Sequence, residues 1–219
     1  MFPAYSKLQD DTEELRDAFL QAIRVSSLVA FPASFGILIA APSFVRTFFG
    51  PEWVTMIPTM QVLSIYGLLR VVGKNFGPIW KAIGRPDYIT KLSLLRVVLI
   101  AIFIYPATAA YGIFGTAVVV TGISVFPMTA LDIHITITEI DGSYTAVLRE
   151  LAYPLVASSI MAGIGWYATL VTDTAPVFEF ILVVVVGAIS YVAAVLLLES
   201  QFDWDIRQNL KTITSSFGG

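Results

Sequence analysis

Four cations set inside apolar stretches are the residues of this chain best placed to do chemistry. Arg70, Lys74 and Lys81 fall within the apolar stretch 55–83, and Arg96 lies about a turn inside the next one, 92–109. A helix turns by about 100° per residue, so the first three cations project within roughly 40° of one another. A cation at mid-bilayer costs on the order of 3 kcal/mol on insertion scales, so this stripe is expected to face a protein interior or a wet cavity. Gly67, Gly77 and Gly84 project onto the same side, and Leu68, Val72, Ile79 and Ile83 onto the other. One face is basic and recessed; the opposite face is greasy. Such a stripe can attract an anionic ligand, or it can pair with a neighbouring helix. No carboxylate lies near the middle of any apolar stretch, which favours anion binding for Arg70 and Lys74. Lys81 and Arg96 stand near enough to one end of their stretches to snorkel and to assist entry.

Catalytic groupings are sparse. Asp132, His134 and Glu139 are the clustered candidates, at the end of an apolar stretch. Their spacing matches no metal motif, and neither a nucleophile with its base nor a paired acid and base accompanies them. The chain has one histidine and no cysteine, so neither a thiolate metal site nor a disulfide can form. A non-enzymatic protein without metal or cofactor is expected.

The composition sets the class. Hydrophobic residues make up 57% of the 219 and charged residues 13%, with mean hydropathy +0.80, far from the values of a soluble domain. The chain is read as all-α and polytopic, with six transmembrane helices at about 25–49, 55–83, 92–109, 113–133, 151–171 and 176–198. Residues 1–24 form an amphipathic segment, starting at the acidic turn of Asp10 and Asp11, that lies at the membrane surface or packs as an ordinary helix. Residues 199–219 form a polar tail. Pro32 and Pro42 kink the first crossing unless neighbours satisfy the freed carbonyls. Gly50-Pro51, Gly84 to Asp87, and Tyr111-Gly112 are turns, the fifth crossing is rich in small residues that suit close packing, and the sixth is aliphatic enough to face lipid. Lys and Arg concentrate before the first crossing and in alternate connections, which places both termini in the cytoplasm by the positive-inside rule. Net charge is −3 without runs of one sign, so nucleic acid is not a partner.

The order of features then carries a resemblance. FPAYSKLQDDTEELRDAFLQAIR, a helix ending LIAAPSFVRTFFGPEW and a helix ending WKAIGRPDYITKL resemble the C-terminal half of polysaccharide flippases. These are the Wzx-type O-antigen and exopolysaccharide translocases of the multidrug/oligosaccharidyl-lipid/polysaccharide exporter superfamily. Pro3, Ser6, Asp10-Asp11, Phe49-Gly50, Trp53, Pro58 and Gly84-Arg85 carry it. The resemblance implies a two-lobed transporter in the cytoplasmic membrane that moves an isoprenoid-linked, phosphate- or pyrophosphate-bearing saccharide outward by alternating access. It also implies an N-terminal lobe, absent from this chain, as partner, together with membrane lipid. Arg70 and Lys74 are then expected to attract the phosphate, with Lys81 and Arg96 assisting. A related exporter of cationic small molecules would want intramembrane acids instead. A scaffold subunit whose basic helix docks an acidic partner is the alternative from another class.

Overall fold

The computed structural model describes residues 12–172 and 174–202, and among these every regular element is helical. The acidic turn at Asp10-Asp11 and the tail from residue 203 onward lie outside the described residues. The chain runs through α1 (Thr12–Phe48), a short 3-10 turn (Pro51–Met56), α2 (Ile57–Gly73), α3 (Phe76–Ala82), α4 (Asp87–Ile123), a π-helical stretch (Ser124–Thr129), α5 (Ala130–Glu139), α6 (Tyr144–Val171) and α7 (Pro176–Phe202). Five continuous helical stretches are long and apolar enough to cross a membrane.

The longest of these, Asp87–Glu139, is two of the six expected crossings. Gly112 sits at φ 60° and ψ −141°, a conformation open to glycine. The hydroxyls of Thr108 and Thr116 lie 2.6 Å apart, although eight residues of straight helix would separate them by about 12 Å. The chain therefore folds back at Gly112. A Cβ on Gly115 would overlap the Ala107 carbonyl, so a side chain there would pry the hairpin open.

Helix α1 continues without a break through the expected boundary at residue 24. Leu15, Phe19, Ala22 and Ile23, the apolar stripe of that segment, are buried with Phe76, Ile79, Trp80, Ile140 and Val147. The segment thus packs as a helix against α3 and the α5–α6 connection. The greasy face of the second crossing, Leu68, Val72 and Ile79, joins the same core.

Lipid tails are as apolar as leucine, so close packing and polar cross-links hold membrane helices together. Both occur here. Gly165 lets α6 approach α1 so closely that a Cβ would meet Ile39 Cδ1 at 2.6 Å. Ser34 Oγ donates to the Ser64 carbonyl at 2.8 Å and joins α1 to α2. At one end of the bundle, Arg24 of α1 holds Glu150 of α6 through Nε and Nη2 at 2.7 and 2.8 Å. Nearby, Arg85 bonds Glu139, and the Tyr88 hydroxyl bonds the same carboxylate. Helix α7 presents Ile181, Val184, Val185, Ile189, Val192, Leu196 and Leu197 outward, the aliphatic face expected to meet lipid.

Candidate anion-binding recess

Arg70 lies in the last turn of α2 and Lys74 caps its C-terminus, where the chain leaves the α-helix at Lys74-Asn75. The cause is local. Pro78 has no N–H to offer the Lys74 carbonyl four residues back, so the helix cannot run evenly through this point. Asn75, 3% exposed, fixes the interruption by donating from Nδ2 to Ser26 Oγ at 2.8 Å and to the Val72 carbonyl at 2.9 Å. The backbone beside Lys74 is thereby tied to α1.

The fourth crossing supplies the facing wall. Pro127 interrupts it, and Phe126 adopts φ −145° and ψ 126° inside the π-helical stretch. A widened turn of this kind exposes backbone and re-aims neighbouring side chains. Ser124 and Thr129, on either side of the break, bond the Val120 and Ser124 carbonyls respectively. Helix α5 then carries Asp132, whose carbonyl accepts from Thr136, while Trp80 Nε1 donates to that same hydroxyl at 3.0 Å. The indole of α3 thus fixes the height of α5 against α2.

Between these walls lies a recess of about 140 Å3 lined by Leu69, Arg70, Gly73, Lys74, Arg96, Ser124, Thr129 and Asp132. Three of the four expected cations meet here, facing one carboxylate, for a net charge of +2. Arg96 contributes from the third crossing because the hairpin at Gly112 lays that helix beside the fourth. Its Nε is buried and has no hydrogen-bond partner among the described residues. No ion pair among the described residues joins Asp132 to any of the three cations. Arg70 leans over the Tyr66 ring, 5.8 Å from its centroid, and otherwise opens on the recess. Buried polar groups are normally satisfied, so an unbonded guanidinium nitrogen beside two further cations makes the recess a candidate anion site. The volume admits a phosphate-sized group.

Lys81 stands apart. It is exposed on α3, beyond the interruption at Lys74-Asn75, and does not line the recess. Asp132, Ser124 and Thr129 were not visible as lining residues from sequence. The available signal was Pro127 flanked by hydroxyls in the middle of an apolar crossing. The grouping of Asp132, His134 and Glu139 does not form in space: Asp132 lines the recess, His134 stacks on Tyr144, and Glu139 bonds Arg85 and Tyr88. Among the described residues no three groups of metal-ligating type come together.

The fold is shared with a solved membrane protein. Over 90% of its length it superposes on lipid II flippase MurJ in an inward closed conformation, with TM-score 0.68 and 16% sequence identity, covering 42% of that protein. Residues 1–58 match the family model described as polysaccharide biosynthesis protein. The chain is 38% identical over 99 residues to the lipopolysaccharide biosynthesis protein WzxC of Escherichia coli, covering 45% of this chain and 20% of that one. It is 33% identical over 86 residues to the teichuronic acid biosynthesis protein TuaB of Bacillus subtilis, covering 39% and 18%. To the probable low-salt glycan biosynthesis flippase Agl15 of Haloferax volcanii it is 25% identical over 166 residues, covering 75% and 34%. The matched region is thus between 18% and 34% of each of these three relatives' length. These matches bear out the resemblance to polysaccharide flippases read from the sequence.

Proposed function

We propose that this chain forms part of a transporter that moves a lipid-linked saccharide precursor across the cytoplasmic membrane, and that Arg70, Lys74 and Arg96 hold its phosphate or pyrophosphate. The observation that carries the reading is the recess itself: three cations converge on one small, partly wet space inside an otherwise apolar bundle, with a buried Arg96 nitrogen unbonded. A phosphate leaving water needs charge-assisted donors to replace its hydration, and guanidinium groups supply these in pairs. Ser124 and Thr129 add hydroxyl donors, and Asp132 keeps the recess from binding anions irreversibly by lowering its net charge. The remaining length of the transporter is its partner in this reading, membrane lipid its surroundings, and both termini lie in the cytoplasm. Lys81 serves at most in approach to the site from that side.

The test uses cells that depend on this gene for surface polysaccharide. Arg96→Gln leaves a shorter, polar side chain with an amide donor and removes its charge. Surface polysaccharide is expected to fall about threefold at equal membrane level of the protein, the effect of removing roughly 0.7 kcal/mol of stabilisation from a partly wet charge contact. Undiminished export would contradict the assignment.

A further inference from the structure

Helix α1 contains two prolines, and each removes the N–H that would bond the carbonyl four residues earlier. For Pro42 that carbonyl belongs to Leu38, and for Pro32 it belongs to Leu28. Both carbonyls are satisfied from other helices. Gln61 of α2 donates from Nε2 to the Leu38 carbonyl at 2.8 Å, and the Tyr191 hydroxyl of α7 donates to the Leu28 carbonyl at 2.8 Å. Two unrelated side chains, 130 residues apart in sequence, perform one task at the two points where α1 is weakest.

Each point also borders open space. Leu38, Pro42 and Gln61 line a recess of about 780 Å3 between α1, α2 and α6. Pro32 and Tyr191 line an apolar groove of about 670 Å3 between α1 and α7. Arg46, one turn beyond Pro42, and Glu179 face that first recess without pairing with each other among the described residues, so no ion pair there ties the outer end of α1 in place.

From this we infer that Gln61 and Tyr191 are clasps on two pivots of α1. Each supplies the donor that a proline removes and holds one segment of the helix at its present angle. Release of the Gln61 bond frees the segment beyond Pro42 to swing into the adjoining recess. Release of the Tyr191 bond frees the segment around Pro32 toward the groove. Transmembrane helices tolerate internal proline where a neighbour re-satisfies the freed carbonyl. Here the neighbours are on separate helices, so relative motion of α2 or α7 against α1 makes or breaks the clasp. The inference stands on these hydrogen bonds and does not depend on the transported substrate.

A pair of mutant cycles in the purified, membrane-reconstituted protein tests it. Tyr191→Phe deletes the donor, and Pro32→Ala restores the helix's own N–H to the Leu28 carbonyl. Tyr191→Phe is expected to lower the thermal midpoint by about 2–4 °C in the natural background and to leave it unchanged in the Pro32→Ala background. Gln61→Leu with Pro42→Ala is expected to behave in the same way. Pulsed electron paramagnetic resonance between spin labels at the exposed Val29 and Phe48 reads the pivoting directly. Gln61→Leu should broaden that distance distribution, and Pro42→Ala should narrow it again. Equal losses in both backgrounds, or a distribution untouched by Gln61→Leu, would show that these side chains merely pack and would overturn the inference.

Discussion

Replacing both Arg70 and Lys74 with alanine is expected to weaken binding of a phosphate-bearing isoprenoid by about a hundredfold and to stop export with it. A unit charge about 5 Å from a bound anion at an effective dielectric near 20 contributes on the order of 3 kcal/mol. Both side chains are exposed to the recess and its water, which halves or further reduces each contribution. About 3 kcal/mol for the pair remains, equivalent to roughly two orders of magnitude in affinity. The variants should retain the fold, because neither cation makes an ion pair among the described residues and Arg70's ring contact is at the surface. Binding measured by titration of a soluble short-chain prenyl pyrophosphate into detergent-purified protein checks the affinity, and circular dichroism checks the helix content. A loss of less than twofold would remove these residues from the site.

The largest expected stability effect lies elsewhere, at the ion pair between α1 and α6. Glu150 is nearly buried, its side chain 7% exposed, and the two nitrogens of Arg24, 22% exposed, hold it at both oxygens. Removing one partner takes this counter-charge from the other in a poor solvent, a loss of about 3–5 kcal/mol for a fully buried pair. The partial exposure of Arg24 lowers this to about 2–3 kcal/mol. Glu150→Ala is therefore expected to lower the midpoint of thermal unfolding in detergent by about 4–10 °C. The double substitution with Arg24→Leu should recover part of the loss, since neither charge of the pair then has to be kept from water. A Glu150→Ala protein as stable as the parent would mean that the pair is screened and structurally idle.

Much of this arrangement is legible in the sequence, for physical reasons that can be named. Bilayer thickness fixes the length of an apolar crossing, so the spans stand out, and the turn at Tyr111-Gly112 is visible because glycine alone adopts its backbone angles freely. Arg70 and Lys74 are legible because a cation in an apolar stretch has no innocent solvation. Lys81 lies about two turns beyond Lys74, past the interruption at Pro78, and so does not line the recess with them. Asp132 stands in sequence with His134 and Glu139 at the end of the fourth crossing; the π-helical stretch around Pro127 interrupts that crossing, and the carboxylate lines the recess instead. The partners of the α1 prolines could not be read at all. That Gln61 reaches Leu38 and Tyr191 reaches Leu28 depends on how helices pack, and no local pattern encodes it.

The boundary expected at residue 24 is one of polarity and not of helix. Charge and amphipathic spacing mark Thr12 to Arg24 as different from the apolar stretch that follows. Helical hydrogen bonding does not respect that change, and α1 runs through it with Leu15 and Phe19 buried at 1% exposure. Polarity of sequence describes where a helix meets water; continuity of the backbone describes where it ends.

The central claim is that the recess recognises the anionic group of an isoprenoid-linked ligand. Native mass spectrometry of the purified protein, presented with equal concentrations of a prenyl pyrophosphate and the prenyl alcohol of the same chain length, tests it most directly. The account predicts that the pyrophosphate binds at least tenfold more tightly and that raising ionic strength erodes the difference. Equal binding of the two lipids would contradict it, because recognition would then reside in the apolar chain and the converging cations would have no ligand to explain them.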